Sequence, residues 1–260
     1  MSVDTDRINP ERLIDTWPDW DLGLKARPRL IEHIHSGRTN RNFRLSAPGL
    51  EQDLLLRVNH PAPGSLGIDR ERERAILSLT ADAGLTRPFL HWDPVGRFVI
   101  FPHLPGRAWT QTDLDDPRQR ERLWPLIDRL HAIRPDWPRR DYHAYLNDYW
   151  YRLERAGLTD SALEDAWQNF EPRLQGFSRS NWPACLVHHD LVGGNILETD
   201  AGLYLIDWEY AAPGHADIDT WAIAPQAVGE PFIAEMMEWI IGLWERLIRA
   251  ASPDGWLSGQ

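Results

Sequence analysis

The chain has 260 residues, 42% of them apolar, and a formal net charge of −11. No apolar run approaches the roughly 18 residues of a membrane-crossing helix, so a helical membrane protein and a disordered chain are both excluded by composition. The acidic balance argues against nucleic acid or an anionic membrane as the main partner, since both are bound chiefly by positive surface. Met1-Ser2-Val3-Asp4 leads into polar and acidic residues instead of the basic start and apolar stretch of a secretory signal, and Cys185 is the only cysteine. A cytoplasmic location is therefore expected, with Cys185 as buried filler and no disulfide.

The predicted elements begin with a helix over residues 9–20, where Asn9 caps, Pro10 opens the first turn and Leu13, Ile14 and Trp17 share a face. Strands follow near 30–35, 42–46 and 53–58, separated by Ser36–Asn42 and by Ala47-Pro48-Gly49. Residues 69–83 read as a helix ending at Gly84, and two more strands are expected near 88–92 and 97–101. Pro102-His103-Leu104-Pro105-Gly106 then forms a rigid connector. It marks the expected boundary between residues 1–101, mostly β after the leading helix, and 102–260, mostly helical. Helices are predicted over 117–133, 141–156 and 160–175, and again from about 217 to 250, with 251–260 as a frayed tail.

Between those helices lies the densest chemistry. Val187-His188-His189-Asp190-Leu191-Val192-Gly193-Gly194-Asn195 has the order His-x-Asp-x-x-x-x-Asn, and Leu205-Ile206-Asp207-Trp208-Glu209-Tyr210 follows across a hairpin turning at Asp200-Ala201-Gly202. An aspartate able to receive an alcohol proton, an amide oxygen five positions later and a second aspartate ending a strand make the donor set of metal-assisted phosphoryl transfer. Gly193 and Gly194 fit a chain turning sharply between Asp190 and Asn195, so that both acids face one cleft.

A small β lobe with one helix, a hinge, a helical lobe and these spaced acids resemble the aminoglycoside phosphotransferase and choline kinase superfamily over roughly residues 30–225. The resemblance implies an α+β, protein-kinase-like two-lobe fold and an ATP- and magnesium-dependent small-molecule kinase. The Ile206-Asp207-Trp208-Glu209-Tyr210 run looks most like bacterial thiamine and choline kinases. Carried over by position, Asp190 is the implied catalytic base and His188 a buried member of its loop. Asn195 and Asp207 are the implied magnesium ligands. Asp219 or Asp217 would hold the loop's backbone, and a helix cap explains either acid equally well.

On the nucleotide side, Gly37 and Asn40 lie in the turn that would cover the phosphates, although the turn lacks a GxGxxG pattern. Lys25 is the only lysine among 28 basic residues, and Arg57 stands where most relatives carry a phosphate-binding lysine. Arginine can bridge phosphates and pair bidentately with a carboxylate. Glu73 is its expected partner; Glu71, two positions away, would point elsewhere on the helix. Adenine is expected against backbone groups of Phe101 to Leu104, with Ile196 and Ile206 as apolar contacts or ordinary core. The acceptor is expected to be a small, cationic alcohol, thiamine ahead of choline or ethanolamine, with an aminoglycoside-type acceptor as the alternative. Tyr142, Tyr145, Tyr149, Trp150, Tyr151, Trp221, Trp239 and Trp244, with Glu209 or Asp217, are candidates for a cation pocket or for core. Two other classes compete: a pseudokinase that binds nucleotide without turnover, motivated by Arg57 and the glycine-poor turn, and a phosphohydrolase using His131, His188, His189 and Asp190 as metal ligands.

Overall fold

The computed structural model describes residues 9–34 and 39–251. Within them the chain forms two compact units: residues up to Arg129 with Val192–Tyr210, and Leu130–Leu191 with residues from Ala211 onward.

The first unit is built on a five-stranded antiparallel sheet, order β1-β2-β3-β5-β4, from β1 (Arg29–Ile34), β2 (Arg41–Ser46), β3 (Leu54–Val58), β4 (His91–Trp92) and β5 (Phe98–Pro102). The two-residue period of a strand puts Leu54, Leu56 and Val58 of β3 on one face, all fully buried, beside Phe43, Leu45, Phe98 and Ile100. Leu13, Ile14 and Trp20 of the N-terminal segment close this core. That segment is not the single helix expected over 9–20. It is α1 (Pro10–Ile14), capped by Asn9, and a separate 3-10 turn over Trp17–Trp20. Pro18 has no amide proton to continue an α-helix and disfavours helical geometry at Trp17. The opposite face of β3 presents Arg57 toward α2 (Arg70–Asp82), whose first turn is capped by Asp69 through the Glu71 and Arg72 amides, both at 3.1 Å.

Beyond the Pro102–Gly106 connector lies a two-residue strand with no periodicity to announce it, β6 (Arg107–Ala108). It pairs with β8 (Ile196–Thr199), which pairs with β9 (Gly202–Leu205). The Leu205 amide also donates to the Leu85 carbonyl at 2.8 Å. These pairings draw 192–210 into the first unit, which extends to Arg129, whereas the sequence placed a boundary at 102. Two close approaches require glycine here: a Cβ at Gly106 would sit 2.5 Å from the Glu198 carbonyl oxygen, and one at Gly193 would sit 2.8 Å from the Thr110 backbone. The expected turn is present, and of its two glycines only Gly193 is required by proximity, since a Cβ at Gly194 would meet nothing within 4 Å. Neither residue has positive φ, and a 3-10 turn spans Gly193–Asn195.

Short α3 (Gln111–Asp115), unpredicted, is held by a Thr110–Asp113 capping box, and the division between units falls within α4 (Pro117–Ala132). The second unit contains α5 (Tyr142–Arg155), α6 (Ser161–Arg179), α7 (Asp217–Ile223) and α8 (Pro231–Ala251), with β7 (Cys185–Val187) paired antiparallel to β10 (Ala212–Gly214). Helical spacing buries Tyr142, Leu146, Tyr149, Trp150 and Leu153 of α5 against Trp167, Phe170 and Leu174 of α6 and Ile233, Met236 and Met237 of α8. Trp150 and Trp167 stack at 4.8 Å. The helix expected from 217 to 250 is interrupted at Ala224, where Pro225 and then Gly229 and Pro231 break the ladder. The expected frayed tail lies, apart from Ala251, outside the described residues.

Candidate active site

In the first unit, β3 and α2 bring Arg57 and Glu73 together: Arg57 Nη1 lies 2.6 Å from Glu73 Oε1, with both side chains nearly or fully buried. Glu71, the rejected alternative, is exposed. Burial opposes charge on both groups, but their mutual attraction prevails. It holds the Arg57 guanidinium above its ordinary pKa and, with Arg70, holds the Glu73 carboxyl below its own. Arg57 Nε donates to Asn59 Oδ1 at 3.1 Å, and Asn59 is itself fixed through the Gly96 carbonyl at 2.8 Å. Arg57 Nη2 is buried without a hydrogen-bond partner among the described residues.

The β8–β9 hairpin carries the second set. Ile196 faces Leu205, and the Ile206 amide donates to the Asn195 carbonyl at 2.9 Å, so Asn195 and Asp207 emerge at the same end of the hairpin. Asp207 has φ of 64°, a left-handed conformation that is strained for a side chain other than glycine. Glu209, expected as a candidate partner for a cationic acceptor, is committed elsewhere. It accepts from Asn40 Nδ2 at 2.8 Å and pairs with Arg70 Nη1 at 3.1 Å. Trp208 is buried, its indole N–H donating to the Leu205 carbonyl at 3.1 Å. Asn40 is buried, while Gly37 lies outside the described residues.

At the connector, Phe101 pairs with Leu55, and the His103 amide is taken by the Asp53 carbonyl at 2.9 Å. Pro102 and Pro105 have no amide proton. Leu104 follows His103 with its amide uncommitted among the described residues. Ile196 is fully buried core and Ile206 is half-buried.

In the second unit, β7 runs into His188, His189 and half-buried Asp190. Asp219, fully buried on α7, accepts from the His188 amide at 3.0 Å and the His189 amide at 3.1 Å, and its Oδ2 lies 3.0 Å from His131 Nε2. Asp217 instead receives the Gly229 and Glu230 amides ahead of α8, at 2.9 and 2.7 Å. Of the two acids left open by the sequence, Asp219 is the one that holds the loop. His189 takes φ of 65° and is braced by Tyr142: the His215 amide donates to the Tyr142 hydroxyl, which in turn contacts His189 Nε2 at 3.0 Å. With Tyr142 Oη accepting that amide, its proton points to Nε2, leaving the Nδ1 proton for the Val187 carbonyl at 3.2 Å. Gly214 is required beside this pair, since a Cβ there would meet the Tyr142 hydroxyl at 2.4 Å and the His189 ring. His188 is fully buried, as expected.

These commitments correct two expectations. His131 and His189 serve Asp219, Tyr142 and Val187, and among the described residues there is no group of three or more His, Cys, Asp or Glu arranged for a metal ion, so the phosphohydrolase ligand set is not assembled. The α5 aromatics divide by helix face: Tyr142, Tyr149 and Trp150 belong to the core, whereas Tyr151 is 56% exposed. Trp221, Trp239 and Trp244 pack partly buried against the same core. Sequence reasoning missed Arg70 and Tyr142 as polar anchors. The i,i+3 spacing of Arg70 to Glu73 was readable, but nothing local marks Tyr142. Among the described residues no helix is long and apolar enough to cross a membrane.

A family model described as "Phosphotransferase enzyme family" matches residues 31–250. A search of the curated proteins found no match. Among solved structures, choline kinase LicA from Streptococcus pneumoniae is similar at 17% identity, with 96% of this chain and 95% of that one covered and a TM-score of 0.65. The Plasmodium vivax ethanolamine kinase is 17% identical, covering 94% and 79% with a TM-score of 0.65. The macrolide 2'-phosphotransferase MphH from Brachybacterium faecium is 17% identical, covering 96% and 99% with a TM-score of 0.57. At such identities the likeness carries the α+β, kinase-like fold, and the family model carries the chemistry class. The chain belongs to the phosphotransferase enzyme family of small-molecule kinases.

Proposed function

We propose that the protein transfers the γ-phosphoryl group of ATP to the hydroxyl of a small, cationic alcohol, with thiamine ahead of choline and ethanolamine. The observation that carries the nucleotide half is the buried Arg57–Glu73 pair with Arg57 Nη2 left over. Arg57 occupies the usual lysine position, makes the expected ion pair and keeps one buried donor for a phosphate oxygen. This geometry favours turnover over a pseudokinase. The amide of Leu104 is the connector donor suited to adenine. LicA has been solved with AMP, and a spectinomycin phosphotransferase with ADP and spectinomycin, in keeping with an adenine nucleotide.

The amide oxygen of Asn195 and the carboxylate of Asp207 are hard oxygen donors at one end of a hairpin, fitting a magnesium ion that would neutralise phosphate charge when bound. Asp190 orients the acceptor hydroxyl and accepts its proton as the new oxygen–phosphorus bond forms and the bond to the ADP oxygen breaks. Asp219 fixes the backbone that presents Asp190, and His188 packs within the same loop. The cationic acceptor rests on the net charge of −11 and on the thiamine- and choline-kinase-like Ile206–Tyr210 run, since Glu209 and Asp217 have other partners.

A coupled ATP-consumption assay against thiamine, choline, ethanolamine, amino sugars and homoserine tests the proposal. Turnover with thiamine or choline is expected. Turnover confined to amino sugars moves the acceptor to the aminoglycoside class, and magnesium-ATP binding without turnover on any alcohol overturns the kinase reading.

A further inference from the structure

The polar network of the first unit converges on Arg70, a residue for which the phosphoryl-transfer chemistry supplies no task. Arg70 Nη1 lies 2.6 Å from Glu73 Oε2 and 3.1 Å from Glu209 Oε2, and Nη2 donates to Asn40 Oδ1 at 3.0 Å. The Arg70 side chain is 10% exposed, and Glu73 and Glu209 are buried beneath it. Glu209 closes the ring by accepting from Asn40 Nδ2 at 2.8 Å. One guanidinium therefore joins three segments far apart in sequence: the strand-end turn carrying Asn40, the helix that holds Arg57 through Glu73, and the segment two residues after Asp207.

The charges balance within the cluster, Arg57 and Arg70 against Glu73 and Glu209. Glu73 has one oxygen against Arg57 and the other against Arg70, so its carboxylate cannot rotate without breaking an ion pair. That in turn fixes Arg57, whose Nε and Nη1 are both engaged. A lysine at position 70 would supply a single point of charge and could not keep the planar fork on all three acceptors. An ion-paired cluster of this kind is weak as a source of stability, since well-packed apolar residues serve as well; its use is to specify one arrangement.

We propose that Arg70 is the positioning residue of the nucleotide side, locking Arg57, Asn40 and the Asp207–Glu209 segment into the one arrangement that binds magnesium-ATP. The inference rests on the kinase reading above and concerns nucleotide binding, which is measurable without turnover.

Calorimetric titration of magnesium-ATP into the full-length protein, Arg70→Gln, Arg70→Lys and Arg74→Gln is the test. Arg74 is exposed on the same helix, so its variant reports the loss of one positive charge alone. Arg70→Gln should weaken magnesium-ATP binding by about tenfold or more, the scale of one lost charge-assisted hydrogen bond. Arg70→Lys should fall between it and wild type, and Arg74→Gln should match wild type. Steady-state assays should place the change in the ATP KM and leave the acceptor KM in place. A cooperatively folded Arg70→Gln with wild-type affinity overturns the proposal. Should that variant not fold, Arg70→Lys decides alone, and wild-type affinity there overturns it equally. A wild-type protein that binds magnesium-ATP but phosphorylates nothing sinks the kinase reading while leaving the affinity comparison to judge Arg70. One that binds no magnesium-ATP sinks both.

Discussion

The two units solve the burial of polar groups differently. Among the described residues, nine buried polar or charged side chains lie in the first unit, including Arg57, Glu73 and Glu209, and only His188 and Asp219 in the second. The first unit sets charge against charge across α2, β3 and the segment that follows β9, leaving a buried arginine donor over. The second spends its one fully buried carboxylate on two backbone amides and a histidine, and braces His189 with a neutral tyrosine. On the proposed function, charge pairing suits the unit assigned to the polyanionic phosphates. On the same proposal, backbone fixation suits the unit in which Asp190 would hold its geometry while receiving a proton.

The largest expected contrast is catalytic. Asp190→Ala should lower kcat by about 10³-fold, the scale of a general base, with magnesium-ATP affinity and melting temperature kept. Asp207→Ala should instead abolish magnesium-dependent nucleotide binding. Titration calorimetry beside turnover separates the two, and an active Asp190→Ala sinks the mechanism.

Next comes Glu73→Gln, which leaves buried cations undercompensated and should destabilise the fold by about 3–5 kcal/mol at neutral pH. The folded-state pKa of Glu73 is depressed below the ordinary value of 4.5. Its stabilisation is therefore fully present above that value and lost as pH falls through the folded pKa. Urea denaturation of wild type and variant at pH 7, 5 and 4 should show a constant gap at the first two and a narrowing one below. A gap that widens toward acid would contradict the assignment.

Asp219→Ala tests the other strategy. It strips the acceptor from two buried amides, costing about 2–3 kcal/mol in chemical denaturation, and kcat should fall while the ATP KM holds. The smallest effect expected is at Cys185, whose thiol is pushed up to about 11 by burial. The native protein should resist alkylation at pH 8 and react only on unfolding, as mass spectrometry would record.

Much of this is legible in the sequence. The alternation of Leu54, Leu56 and Val58, the Asp69 cap and the turn at Asp200–Gly202 are preferences expressed by neighbours, and the structure has β3, α2 and the β8–β9 hairpin there. Local reading failed where two acids stood close together or where a partner lay far away. Glu73 was distinguished from Glu71 by helical direction, but Asp219 and Asp217 had equal local claims. Only the packing of α7 against the strand-end loop separated them, across 31 residues. β6 was invisible because two residues carry no period, and its pairing with β8 is set by a close approach at Gly106.

The order His188-x-Asp190 to Asn195, then Asp207, read with the β-then-helical order of elements around it, pointed to the phosphotransferase family that the family model matches, because donor types at fixed short spacings are a property of the covalent sequence. The wiring around them was decided by tertiary structure alone. Glu209 meets Arg70 across 139 residues and Asn40 across 169. No local preference encodes such meetings, since which buried charge finds which partner depends on how sheet, helix and hairpin pack around them.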